Sequence, residues 1–381
     1  MNQQFDHIIS AIRSRYGNGN IPLHAPVFRG REKEYTAKAI DSTFVSSVGE
    51  YVNQAEKMLA EYTGAHYAVA TGNGTSALHA ALVVAGVVKD DLVICQPLTF
   101  VATANAIAYC GAEPAFVDID KDSLCLSPDH LRAFLEKETT LSDKGLCIHK
   151  NTGRIIRACV PMHAFGLVGR IGEIADVCKA YNIVLVEDAA ESIGSKVGTI
   201  QTGLFGAVGV LSFNGNKTIT CGGGGAIITN DEALAKQAKH ITTTAKRPHA
   251  WEFFHDTLGY NYRLPNINAA LLCAQIEQLD GFLENKRETA ELYHKAFKAA
   301  GVEYLVAAEG TTSNYWLNCI VLKDRAERDA FLNYSNAQGV MTRPAWTLMN
   351  KLPMYSHCIC AEIGNAEEME NRLVNIPSSV I

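Results

Sequence analysis

Residues 184–225 read VLVEDAAESIGSKVGTIQTGLFGAVGVLSFNGNKTITCGGGG. The run IVLV at residues 183–186 is too apolar and too β-branched for an exposed helix. It reads as a strand buried on both faces that delivers Asp188 at its carboxyl end. Ligands of α/β sheets bind at that edge. A second apolar run, GAVGVLSF at residues 206–213, brings in Ser212, and Lys217 follows in a turn that leads to the cluster Gly222 to Gly225. Lys217 lies 29 residues after Asp188 (217 − 188), which leaves room for another strand and a return to the same edge.

An amine, a carboxylate and a hydroxyl brought together in this order suit one kind of guest. Pyridoxal phosphate needs a lysine to hold its aldehyde, an acid to keep its ring nitrogen protonated and donors to fix its phosphate. A carboxylate at a strand end can pair with a pyridinium N–H, and each charge then favours the other. Taken singly, Asp188 equally suits the cap of the following helix and Lys217 a solvated surface charge. The ordered set is what points to the cofactor.

HYAVATGNGTSALHAALVVAG at residues 66–86 predicts a strand from His66 to Thr71, a tight turn at Gly72-Asn73-Gly74 and an apolar helix starting near Thr75 and Ser76. The unpaired N–H groups and positive dipole end of such a helix form an anion site, so the expected guest is a phosphate. GNGTSA also fits the dinucleotide pattern of a Rossmann dehydrogenase. That fold needs an acid at the end of the next strand, whereas DLVICQP ends in Gln96 and Lys217 would be left unexplained.

The length of 381 residues, 48% of them hydrophobic, supports a large core and a division into a larger and a smaller domain. A net charge of −6 without a long basic run excludes nucleic acid or an anionic membrane as the main partner. Eleven cysteines without a CxxC pair indicate reduced thiols and a cytoplasmic protein. His357, Cys358 and Cys360 lie close together, but four-ligand zinc spacing is missing, so they read as structural and no metal is expected. The start MNQQFDHI lacks the features of a signal peptide.

In chain order, residues 5–16 form an amphipathic helix, residues 21–35 an extended entry and then a helix, and a further helix runs to about Tyr62. The loop around Ser47 is placed to border a substrate. Strand, helix and strand follow in QPLTFVATANAIAYCGAEPAFVDID, with Phe100 opening the helix. LCIHKNTGRIIRACVPMHAFG predicts a hairpin about Asn151-Thr152-Gly153 whose second arm joins the sheet and brings His163 to a strand end. There His163 either approaches the substrate or is a satisfied structural residue.

The alternation from residue 66 to about 230 predicts an α/β fold: a mostly parallel sheet with helices on both faces. A large domain over residues 1–265, with an N-terminal arm over 1–35, precedes a linker helix from Ile267 to about Ala300 and a smaller C-terminal α+β domain over 266–381. Arg343 and Trp346, in the Pro-punctuated loop MTRPAWTLMNKLPMY, suit a nucleotide phosphate and a flat ring; for Trp346, core filling fits as well.

The segment EDAA, then SF, NK and a glycine cluster resembles the DegT/DnrJ/EryC1/StrS sugar aminotransferases, and the resemblance covers nearly the whole chain. It implies the aspartate aminotransferase-like fold (fold type I) and pyridoxal 5'-phosphate, with Lys217 joined to the cofactor, Asp188 on the pyridine nitrogen, and Ser212, Gly74, Thr75 and Ser76 on the phosphate. It further implies that Phe100 stacks on the ring and that Asn261 of GYNYR reaches the phosphate of a neighbouring subunit, making the active site a property of a homodimer. Arg263 either orients that loop or binds an anion. Glu191 stands where many relatives carry Gln or His near the ring hydroxyl, and GGGG replaces the commoner GEGG. The chain's ending IPSSVI, where many relatives continue into a helix, is expected to be looser.

PLHAPVFRGREKEY, DSTFVSSVGEYV, NTGRII with PMHAFG, and GGGGAI are similar to the LegC-type and bacillosamine-pathway C4 aminotransferases of bacterial surface glycan biosynthesis. They imply UDP-2-acetamido-2,6-dideoxy-hexos-4-ulose as substrate and L-glutamate as donor, with 2-oxoglutarate as its product. The alternatives are another dTDP- or GDP-ketosugar, as in perosamine synthases, a transaminase of a small ketone or ketoacid, and a non-catalytic regulator. The related sugar dehydratases carry His in place of the lysine, so Lys217 opposes that activity.

Overall fold

Seven short strands join into the central sheet of the computed structural model, which describes residues 2–381. They are β1 (Tyr67–Thr71), β2 (Leu92–Cys95), β3 (Glu113–Phe116), β4 (Ile156–Val160), β5 (Val184–Asp188), β6 (Val208–Ser212) and β7 (Gly225–Thr229). Across the sheet they stand in the order β1-β7-β6-β5-β4-β2-β3. β6, β5, β4, β2 and β3 pair in parallel, while β7 runs antiparallel to both β1 and β6. This is the mostly parallel α/β sheet that the sequence pattern predicts, and the fold type I architecture that the resemblance implies.

Alternate strand residues serve opposite faces. Val93, Cys95, Val186, Val208, Val210 and Ile227 pack with helices Gly74–Val84 and Val101–Tyr109. Leu92, Ile94, Ala115 and Leu185 pack against helices Pro128–Glu138 and Ile171–Ala180. Under β1, β6 and β7, the residues Ala70, Leu211, Ala226 and Ile228 meet helices Glu50–Thr63 and Asn266–Ile276. Each fully buried aliphatic side chain contributes about 1.5–3 kcal/mol, so the parity of the strands is strongly enforced. That parity sends Asp188, two residues after Val186, to the face of the helix Val101–Tyr109, and Glu187 to the other.

The C-terminal unit carries a second sheet of Glu303–Tyr304, Asn318–Val321, Leu373–Ile376 and Arg343–Pro344, all antiparallel, with helices Arg325–Ala337 and Gly364–Arg372. Three sequence expectations are corrected here. The first helix, Asn2–Tyr16, does not belong to the large unit: Phe5, Ile8 and Ile12 share a core with Tyr293, Phe297, Ile320, Phe331 and Val374. The linker is two helices, Asn266–Ile276 and Leu279–Ala300, and beside the break Gln275 and Gln278 both donate to Glu32 Oε1 at 2.7 Å. The chain's ending is tied down: Ser378 N–H donates to the Leu23 carbonyl, and the Ser378 carbonyl accepts from Lys286 Nζ at 2.5 Å.

The predicted turn at residues 151–153 forms, and β4 carries its second arm into the sheet, while the first arm, Cys147–His149, pairs with Thr139–Leu141. Among the described residues no helix is long and apolar enough to cross a membrane.

Candidate active site

The carboxyl ends of β5 and β6 and the start of the helix Gly74–Val84 open into one cavity of about 230 Å³, lined by Asn73, Gly74, Thr75, Phe100, Asp188, Glu191, Ser212 and Lys217 among others. Residues from four separate stretches of sequence meet here because parallel strands all end on one side of the sheet.

The helix start is built for close approach. Asn73 caps it, its side chain accepting from Ser76 N–H at 2.8 Å. The N–H groups of Gly74 and Thr75 have no carbonyl of their own helix to bond. A Cβ on Gly74 would stand 2.8 Å from Ser212 Cβ and 2.9 Å from its Oγ, so only glycine lets helix and β6 come together. Likewise a Cβ on Gly225 would meet the Asn73 backbone at 2.5 Å. Ser76, expected on the phosphate, has given its N–H to Asn73 and is not part of the lining.

Asp188 is buried, with Oδ2 accepting from the Thr103 hydroxyl at 2.8 Å and Oδ1 from Ala190 N–H at 3.2 Å. Burial pushes its carboxyl pKa up, against those two bonds and the charge of Lys217. A cation or a ring N–H beside it would relieve this.

Lys217 Nζ lies 2.9 Å from Glu191 Oε1 and 4.0 Å from the centroid of the Trp316 ring, an ammonium held by a carboxylate and an aromatic face. Glu191 is also buried, which raises its pKa against the bond and charge of Lys217; its Oε2 accepts from Phe165 N–H at 2.8 Å. Phe100 precedes the helix Val101–Tyr109 and is 47% exposed at the cavity. A lysine, a buried carboxylate lacking a cation partner, bare first-turn N–H groups and a flat exposed ring fit pyridoxal phosphate.

Other expected residues lie elsewhere. His163 is 1% exposed and pairs with Glu187 at 3.0 Å. Burial lowers an imidazole pKa, but here the neighbouring Cys125 and Glu187 outweigh it and raise it to about 9. His163 therefore does not open to the cavity; its neighbour Met162 does. Ser47 lines a separate cavity of about 200 Å³ with Lys239 and Arg263. Arg263 Nε donates to Asn261 Oδ1 at 3.1 Å, and Asn261 is exposed, away from the cavity of its own chain. Arg343 is exposed and bonds Asn336 and the Thr342 carbonyl rather than reaching the cavity. Trp346 lies against Phe165 at 4.5 Å and has its ring centre 6.2 Å from that of Phe100. His357 and Cys358 group with Glu113, not with the exposed Cys360, and Glu113 is already paired with Arg154 at 2.7 Å.

Thr103, Asn73, Phe165 and Trp316 escaped the sequence reading. Asn73 had a local signal, a cap residue three before Ser76. Gln96, which replaces the Rossmann acid, is fully buried and bonds Leu124, Leu126 and Met162.

The model of the DegT/DnrJ/EryC1/StrS aminotransferase family matches residues 27–380. The GDP-perosamine synthase of Escherichia coli O157:H7 is 35% identical, over 94% of this chain and 93% of that one. That of Vibrio cholerae is 32% identical, over 94% of each. A solved structure, a DegT DnrJ EryC1 StrS aminotransferase from Brucella abortus, superposes with a TM-score of 0.82 at 29% identity, covering 91% of this chain and 90% of that one. The chain thus belongs to the DegT/DnrJ/EryC1/StrS aminotransferase family and is a pyridoxal phosphate-dependent nucleotide-sugar aminotransferase.

Proposed function

We propose that the chain moves an amino group from L-glutamate to C4 of a nucleotide-linked 4-keto-6-deoxy sugar, in the cytoplasm, for a surface glycan. The observation that carries this is the convergence of Lys217, Asp188, Ser212 and the Gly74 helix start on one cavity. When bound, the cofactor takes up the donor's amino group and passes it to the ketone, its ring accepting the electrons released at the neighbouring carbon.

The chain's residues supply the rest. Lys217 holds the aldehyde and, once free, takes and returns a proton at Nζ. Glu191 and the Trp316 face give that ammonium a resting place. Asp188, steadied by Thr103, holds the ring nitrogen. Gly74 and Thr75 N–H groups and the Ser212 hydroxyl hold the phosphate, and Phe100 covers the ring. Trp346, close to Phe100, is offered as a wall of the sugar-nucleotide site; Ser47 and Arg343 belong to that site only if a second copy or a domain movement brings them in.

Asn261 is proposed to act on the phosphate of a second copy. Its exposure supports this, as does the bond from Arg263 that fixes its side chain. Trp251, Phe253 and Leu258, exposed on the preceding loop at 77%, 80% and 76%, suit burial against the same partner.

For the nucleotide, the motifs shared with the LegC-type enzymes favour UDP-2-acetamido-2,6-dideoxy-hexos-4-ulose. The names of the two perosamine synthases favour a GDP-linked 4-ketosugar as the second reading. A panel of UDP-, GDP- and dTDP-4-keto-6-deoxy sugars with glutamate, read by product mass and the configuration of the aminated carbon, separates them. Turnover of none of the panel contradicts both.

A further inference from the structure

Phe165 has a φ of 58° and a ψ of 12°, in the left-handed region that a bulky residue rarely adopts. The surrounding contacts hold it there. Its N–H donates to Glu191 Oε2 at 2.8 Å, and its carbonyl accepts from Leu317 N–H at 3.2 Å. Its ring, 1% exposed, lies 4.5 Å from Trp346 and 6.4 Å from Trp316, both nearly parallel to it. Trp316 is anchored in turn by its indole N–H on the Asn216 carbonyl at 2.6 Å and lies under Lys217 Nζ at 4.0 Å.

A negative φ at this position would turn ring and peptide relative to each other by roughly 120°. The ring could not then keep its contacts with the two tryptophans while the N–H points at Glu191. The strained backbone and the aromatic clamp are therefore one device, and it ends on the carboxylate whose other oxygen meets Lys217 at 2.9 Å. Both tryptophans belong to the C-terminal unit, whereas Phe165, Glu191 and Lys217 belong to the large one.

We infer that Phe165 is a positioning residue: through its left-handed backbone it sets the carboxylate of Glu191, and so the place where the ammonium of Lys217 rests whenever it is not joined to the cofactor. The catalytic meaning of this rests on the proposed role of Lys217; the geometry does not.

The test is the rate at which the anionic reagent trinitrobenzenesulfonate labels Lys217, followed by mass spectrometry of its peptide. It is run on the full-length protein stripped of cofactor and again loaded with pyridoxamine phosphate. An ammonium already bonded to a carboxylate is kept from the reagent. Phe165→Leu should label roughly tenfold faster, the factor that one charge-assisted hydrogen bond is worth. Phe165→Tyr should behave as the wild type. Glu191→Gln should label as fast as Phe165→Leu, with no further gain in the double variant. A wild-type rate in Phe165→Leu of native near-ultraviolet circular dichroism overturns the inference. If that variant does not fold, Trp346→Leu, which removes half the clamp, decides by the same criterion: faster labelling supports the inference and a wild-type rate overturns it. Were Lys217 not the cofactor lysine, borohydride would fix no cofactor on it, and the labelling rates of the stripped protein would be unaffected.

Discussion

Gly74 and Ser212 approach so closely that a methyl group on the glycine would come within 2.8 Å of the serine Cβ. This contact brings the helix start and the end of β6 to the wall of one cavity, where the phosphate site is proposed. Gly74→Ala should leave the fold intact, since alanine is at least as good a helix former, but push the two elements apart. Affinity for pyridoxal phosphate, titrated by its visible absorbance, should fall roughly tenfold, the worth of one charge-assisted hydrogen bond. Unchanged affinity would remove this contact from the phosphate site.

The bond from Thr103 to Asp188 predicts a pH effect. Burial already raises the Asp188 pKa and the hydroxyl opposes it. Thr103→Val should raise it further, because the carboxylate loses a donor that favours its charged form. Because the carboxyl must be ionised to hold a ring N–H, the acid limb of the kcat profile should move to higher pH, with activity recovering as pH rises. A uniform loss at all pH values would count against this account.

Lys286 is 1% exposed, and its Nζ donates only to the carbonyls of Ser378 and Trp316. Burial lowers its pKa to about 7. The folded state thus binds fewer protons than the unfolded state between pH 7 and the ordinary lysine value, and stability must rise with pH across that window. Relative to Lys286→Met, the wild type should gain roughly 2 kcal/mol between pH 7 and 9 in denaturant titrations. A flat difference would mean that the ammonium stays charged on its carbonyls.

If Asn261 serves a second copy, Lys217→Ala and Asn261→Ala proteins should each be inactive, and subunit exchange between them should restore part of the activity. Mixing without any recovery would make each chain's site complete by itself.

What the sequence disclosed follows from how local each signal is. Asp188, Ser212 and Gly74 sit at ends of apolar runs, and the fold puts those ends on one edge, so they could be read in order. Thr103 and Trp316 reach the site through contacts spanning 85 residues to Asp188 and 99 to Lys217 (188 − 103 and 316 − 217), which no periodicity encodes. Of the two roles open to His163 at its strand end, the structure selects the buried structural one, because one residue of register turns His163 to Glu187 and leaves Met162 at the cavity. The bend between Ile276 and Leu279 carries no Pro or Gly, and the Glu32 carboxylate that Gln275 and Gln278 share there comes from far away in the chain. Chain order alone puts the first helix with the large unit, whereas its apolar face packs against the C-terminal unit.

The most direct test concerns the amine at position 217. Borohydride reduction of the protein as purified with pyridoxal phosphate, followed by peptide mass spectrometry, should find the cofactor's mass on Lys217 and, in Lys217→Ala, nowhere. The reduced cofactor on another lysine, or a Lys217→Ala protein that still transfers the amino group, would contradict the account.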